Sequence, residues 1–178
     1  STDNGANWIQ RGLTGESVYA LVSVGGTTFA GTYTSVFRTA DTGVTWTRIN
    51  SGLSNLFAYA SVVMGNSIFT GTDDGVYRST DNGASWVRTG LRGEVVLQLS
   101  TGGTAVFAGT SSGRAFRSND GGASWTDISS ALHFASLSQL IVVGNAFLAA
   151  TDGGIYRSLD SGTTWNQFGT GLPAYSNG

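Results

Sequence analysis

Apolar runs of four to seven residues, separated by Gly, Asn and Asp, recur along the whole chain. In the first stretch they are VYALVSV (18–24), TTFAGT (27–32), SVFR (35–38) and TWTRI (45–49). None is long enough to carry a 3.6-residue apolar period, so no helix is predicted. Their β-branched and aromatic content, bounded by turn residues, predicts short strands joined by tight hairpins. The same order of apolar run, Gly/Asn turn, second run ending in Gly-Thr or Ala-Thr, and aromatic-Arg strand returns in each later stretch, giving four strands in about 39 residues.

Each round closes on Ser/Thr-x-Asp-x-Gly-x-x-Trp. This pattern appears five times, as STDNGANW (1–8), TADTGVTW (39–46), STDNGASW (79–86), SNDGGASW (118–125) and SLDSGTTW (158–165). Its aspartates, Asp3, Asp41, Asp81, Asp120 and Asp160, are spaced by 38, 40, 39 and 40 residues, the signature of a repeat architecture. An Asp between two strands can accept the N–H groups of its own turn, the leading Ser or Thr hydroxyl can do the same, and the Gly supplies positive φ. Trp8, Trp46, Trp86, Trp125 and Trp165 would then cover the apolar side of each hairpin. The motif is therefore expected to fold a turn and to do no chemistry.

These residues resemble the Asp-box, or bacterial neuraminidase, repeats of sialidases, sortilin-like receptors, xyloglucan-degrading glycoside hydrolases and photosystem II assembly factors. The resemblance covers essentially the whole chain, and wording such as GTDDGVYRSTDNGASW (71–86) is most similar to non-catalytic secreted repeat proteins of bacteria. It implies an all-β propeller of four-stranded antiparallel blades. Four complete blades are expected at about 12–49, 53–88, 91–128 and 132–169, with 1–11 the outer strand of a preceding blade and 170–178 the start of a further one. The chain then reads as part of a larger propeller. Blades one and three share a Gly-Leu-x-Gly-Glu linker (12–16 and 90–94), whereas blades two and four share GNSIF or GNAFL (65–69 and 144–148), as duplication of a two-blade unit would produce.

Composition narrows the function classes. Among 178 residues there are 27 Gly, one Pro and only 11% charged residues, so the surface is polar without being charged. All nine basic residues are Arg, the net charge is −2 and no basic run occurs, which argues against nucleic acid. No apolar run is long enough for a membrane helix. With no Cys and one His, no metal site and no cofactor are expected.

Residues that recur in every blade belong to the repeat, so a ligand site should show as a break in it. The recurring Arg38, Arg78, Arg117 and Arg157 each follow an aromatic residue and are expected to stack or to bond strand edges. Glu16 and Glu94 are equivalent to each other and read as linker features. In propellers of the resembled family, ligand sites lie on the face opposite the boxes. There the symmetry-breaking residues are Tyr33, Asp73, Asp74, Arg92, Arg114, His133, Phe134 and Asp152. A sialidase would need three clustered arginines, and this face offers mainly Arg92 and Arg114. A xyloglucan hydrolase would need two opposed carboxylates, which no motif outside the boxes marks. The expectation is a non-catalytic, extracytoplasmic binding or assembly module whose partner is a protein or further blades of a parent chain. A carbohydrate-binding surface protein is the second reading and a glycoside hydrolase fragment the third.

Overall fold

The computed structural model describes Ser1 and residues 3–53, 57–129 and 137–169. It is an all-β propeller of four antiparallel blades, each with its four strands in sequence order. Blade one is β1 (Val18–Val24), β2 (Thr27–Thr32), β3 (Val36–Thr39) and β4 (Thr47–Arg48). Blade two is β5 (Ala60–Met64), β6 (Ser67–Thr72), β7 (Gly75–Ser79) and β8 (Val87–Gly90). Blade three is β9 (Val96–Gly102), β10 (Ala105–Thr110), β11 (Ala115–Ser118) and β12 (Thr126–Asp127), and blade four is β13 (Leu137–Val143), β14 (Ala146–Thr151), β15 (Gly154–Ser158) and β16 (Asn166–Gln167). The inner strands β1, β5, β9 and β13 pack in series and line one open groove of about 540 Å³. β1 and β13 do not pack as neighbouring inner strands do, so the described blades form an open arc.

Both faces of a blade are apolar, and the core therefore lies between blades. Phe29, Val36 and Ile49 of blade one meet Ile68, Tyr77 and Trp86 of blade two. Phe69 and Val76 of blade two meet Val96, Val106 and Phe116 of blade three, and Phe107 and Ile128 of blade three meet Leu140, Phe147 and Trp165 of blade four.

The five repeated turns share one hydrogen-bond scheme. In the turn of blade two, Ser79 Oγ donates to Asp81 Oδ1 at 2.8 Å and accepts the Gly83 N–H at 2.8 Å. The Ser85 N–H donates to Asp81 Oδ1 at 2.9 Å and the Ser85 hydroxyl to Oδ2 at 2.5 Å. Asp3, Asp41, Asp120 and Asp160 accept the corresponding N–H from Asn7, Thr45, Ser124 and Thr164 at 2.8–2.9 Å. Hydrogen bonds to the charged form, that from the residue-four-on side chain foremost, hold Asp41, Asp81 and Asp120 at about pKa 2 against an ordinary 3.8. Asp3 also sits at about 2, with Ser1 as its leading donor, and Asp160 is lowered in the same way, chiefly by Thr164.

The turns also join blade to blade. The residue after each Asp has positive φ, at 59° in Thr42, 58° in Asn82, 69° in Gly121 and 60° in Ser161. Its carbonyl is offered to the preceding blade. Arg38 donates to the Asn82 carbonyl at 3.2 Å, Arg78 to that of Gly121 at 3.1 Å, and Arg117 to that of Ser161. After the first turn, the Trp lies against the segment that precedes its blade: Trp86 Nε1 donates to the Ile49 carbonyl at 2.9 Å, and Trp46 Nε1 to those of Gly43 at 3.0 Å and Arg11 at 3.3 Å. At Gly12 and Gly90 a Cβ would collide with the indoles of Trp46 and Trp125, so only glycine fits there.

Residues 3–11, expected as the outer strand of a preceding blade, form the turn and then pair with no strand among the described residues. Outer strands such as β4 are two residues long and are held only by their third-strand neighbour, and none stands beside this segment. Trp8 is accordingly 81% exposed where Trp86 is 3% exposed. The expected start of a further blade, 170–178, lies outside the described residues.

Two outcomes follow. Because the turn aspartates have folded pKa values below their unfolded 3.8, their stabilisation is complete above about pH 4 and is lost as pH falls toward about 2. Thermal melts between pH 6 and pH 2 should show a flat Tm followed by a decline that begins near pH 4, and a Tm unchanged down to pH 2 would contradict the scheme. In urea denaturation, Trp86→Ala should cost about 3–5 kcal/mol, whereas Trp8→Ala should change stability by less than about 0.5 kcal/mol.

Candidate functional site

The first residues of the inner strands, the linkers before them and the turns after the second strands all lie on the face opposite the repeated turns. The inner strand carries a bulge at its start: Val18 pairs with Thr32 and Ala20 with Gly31, leaving Tyr19 between them. Leu97 and Ser138 sit in the same bulge in blades three and four, and the register of β5 places Tyr59 at the equivalent position in blade two. A bulge re-aims its side chain, here at the rim of the central groove, whose lining includes Tyr19, Tyr59 and Leu97.

Blades one and two thereby build an aromatic cluster with no counterpart among the described residues of the other two. Tyr33, in the turn after β2, meets Phe57 edge-on with ring centroids 4.1 Å apart. Phe57 stacks on Tyr59 at 5.7 Å with an 11° interplanar angle, and Tyr59 meets Tyr19 edge-on at 6.1 Å. Tyr19 and Tyr33 are more than half exposed, while Phe57 and Tyr59 are half-buried. Burial first, and then the charge of Asp73, push the Tyr59 phenol above its ordinary pKa. Asp73 Oδ1 is itself buried with no hydrogen-bond partner.

The other expected site residues divide. Asp74 pairs with Arg88 and accepts the Gly93 N–H at 3.0 Å, so it fastens the turn to the linker. Arg114 pairs with Glu94 at 2.5 Å and Asp127 at 2.7 Å and lies over the Phe116 ring at 4.6 Å, with its pKa raised chiefly by Asp127. Those contacts occupy its fork and leave it inside blade three. Glu16 and Glu94 take equivalent hydroxyl hydrogen bonds from Thr34 and Ser112, each at 3.2 Å. Arg92 and Asp152 are exposed, on the linker into blade three and in the turn after β14. His133 and Phe134 lie outside the described residues.

Sequence reasoning missed Tyr19, Phe57 and Tyr59. The signal was present in the register, since the position of Tyr19 and Tyr59 holds Leu97 and Ser138 elsewhere, and that of Phe57 holds Ser17 and Val95. Reading it required knowing that a bulge turns those positions outward.

The DUF6242 beta propeller domain family matches residues 14–134, about two thirds of the chain. No curated protein matches it. Among solved structures, an ancestral GH74 enzyme, AFV00434, is similar with a TM-score of 0.75 and 17% identity, over 89% of this chain and 25% of that one. YCF48 bound to D1 peptide gives 0.74 and 20% identity over 93% and 59%. The extracellular domain of the putative one-component system BT4673 from B. thetaiotaomicron gives 0.69 and 21% over 85% and 22%. The chain therefore spans between about a fifth and three fifths of these proteins, and at such identities the likeness is one of fold. That fold serves an enzyme in one neighbour and is found with a bound peptide in another. No helix among the described residues is long and apolar enough to cross a membrane.

Proposed function

We propose that this chain, which belongs to the DUF6242 beta propeller domain family, is a non-catalytic binding or assembly module of an extracytoplasmic protein. It recognises a protein partner through the face opposite the repeated turns, and those turns are Asp-boxes of the neuraminidase-repeat kind. The observation that carries the reading is the aromatic cluster of Tyr19, Tyr33, Phe57 and Tyr59. Tyrosines with an apolar body and a polar tip, fixed by ring-on-ring contacts and so ordered before binding, suit the centre of a protein interface. The D1 peptide held by the structurally similar YCF48 supports the choice of a peptide-like ligand, and the extracellular setting of the BT4673 domain supports the compartment.

Exposed Tyr rings beside a surface rich in Ser and Thr also suit stacking on sugar rings, which keeps carbohydrate as the second reading. The test is a displayed peptide library and a glycan array screened with the chain and with a Tyr33→Ala/Phe57→Ala variant. Selected peptides should bind the native chain and bind the variant at least about tenfold more weakly, as loss of an aromatic anchor gives. Binding to glycans alone would establish the second reading, and peptide binding untouched by the variant would reject this face. Turnover of glycoside substrates, abolished by substitution of a carboxylate outside the turns, would reject a non-catalytic module.

A further inference from the structure

The aromatic cluster over the junction of blades one and two is bordered by carboxylates, and blade three shows within the same chain what such a surface holds. There Arg114 lies over the Phe116 ring at 4.6 Å and pairs with Glu94 at 2.5 Å and Asp127 at 2.7 Å. A guanidinium placed between a ring face and carboxylates gains from the ring quadrupole and from the opposite charges together.

Blade one keeps the receiving half of this arrangement and lacks its Arg. Glu16 is the counterpart of Glu94, since its Oε2 accepts the Thr34 hydroxyl as that of Glu94 accepts the Ser112 hydroxyl. The strand registers pair Gly31 with Val36 and Gly109 with Ala115, so the position of Arg114 is held by Ser35. Ser35 is buried and its hydroxyl accepts the Asn50 side-chain N–H at 3.2 Å, so it cannot take the part of the Arg. Among the described residues Glu16 forms no ion pair, and no Arg stands over Tyr19, Tyr33, Phe57 or Tyr59.

The rings begin beside Glu16. Tyr33 precedes Thr34, its N–H donates to the Ser17 carbonyl at 3.2 Å, and it is 54% exposed. At the other end of the cluster the charge of Asp73 acts on Tyr59. Asp74 is paired with Arg88, and Arg92 belongs to the linker into blade three. Arg48 stands at the position of Asp127 and donates to the Thr34 carbonyl at 3.4 Å. At the junction of blades one and two, then, two unpaired carboxylates stand against one guanidinium. Blades added beyond blade one or blade four would pack on their flanks and leave this face open.

We infer that the partner presents an arginine to this surface, held by Glu16 and the neighbouring rings as Arg114 is held by Glu94 and Phe116. The inference rests on the reading of this face as a peptide-binding one and adds the side-chain chemistry it selects. Lysine fits less well, because an ammonium cannot lie flat on a ring while its fork engages a carboxylate.

The test is a random peptide library displayed against the native chain, followed by fluorescence polarisation with synthetic copies of the selected peptides. Arg should be enriched over the unselected library. Replacing that Arg by citrulline, which is neutral and of nearly the same shape, should weaken binding about tenfold, and replacing it by Lys should weaken it less. Glu16→Gln keeps an acceptor for the Thr34 hydroxyl and should fold, by circular dichroism. It should weaken the Arg peptide about tenfold and leave the citrulline peptide unchanged, as a double-mutant cycle requires of a direct pair. Arg48→Gln should strengthen the Arg peptide, and Glu94→Gln, on the blade that supplies its own Arg, should leave it unaltered. Selected peptides without Arg, an equal loss of Arg and citrulline peptides in Glu16→Gln, or weaker binding in Arg48→Gln would overturn the inference. If those peptides still fail to bind the Tyr33→Ala/Phe57→Ala variant, the face itself stands as the binding site. A library that yields no binder, or only binders indifferent to that variant, would reject the face and the inference together.

Discussion

Each blade of this propeller is too thin to bury both its faces, and everything else in the structure depends on how one blade is fixed to the next. The fixing is done by the repeated turn. Its Asp gathers the turn's own N–H groups, which forces the following residue to positive φ and leaves that residue's carbonyl facing the Arg of the neighbouring blade. Its Trp lies beneath the segment leaving that neighbour. A local turn, stabilised by hydrogen bonds within eight residues, thus sets the spacing and angle of whole sheets and with them the series of inner strands around the groove.

Because the repeat is consumed by this framework, specificity has to be written where the repeat is broken. The position at the start of the inner strand, bulged in blades one, three and four, is common to the blades, but what it carries changes from Tyr19 and Tyr59 to Leu97 and Ser138. The framework supplies the same outward-facing place in each blade and leaves its chemistry free. Blades one and two fill it with rings, and Tyr33 and Phe57 extend those rings into a surface crossing the boundary between two blades.

The fold was legible in the sequence because its determinants are local. Asp, Gly and Trp at fixed offsets dictate the turn, and the period between turns dictates the blade. The candidate site was only partly legible because it is assembled across blades. Tyr33 stood out as a break in the repeat, but its partner Phe57 lies 24 positions further on, in a linker whose course the strand pattern does not define. Arg114 drew notice as a lone cation, yet Glu94 and Asp127 hold it within its own blade, a pairing visible only once the linker and the outer strand are placed. The recurring arginines were recognised as structural, but that they reach the next blade, with Arg38 contacting a residue 44 positions away, required the stacking of the sheets.

The junction has an evolutionary consequence. Its two halves, Arg and departing segment on one side, turn carbonyl and indole on the other, are encoded within a single repeat of about 39 residues. A duplicated segment of the gene therefore arrives with both its plug and its socket and needs no compensating change elsewhere. Blades one and three leave through Asn50 and Ser129, whose side chains accept the Val36 and Ala115 N–H groups, and blade two leaves through Gly90, an alternation that makes the self-sufficient unit a pair. Lineages built on this plan would gain or lose blades two at a time, while substitutions at the bulge altered what the ring grasps.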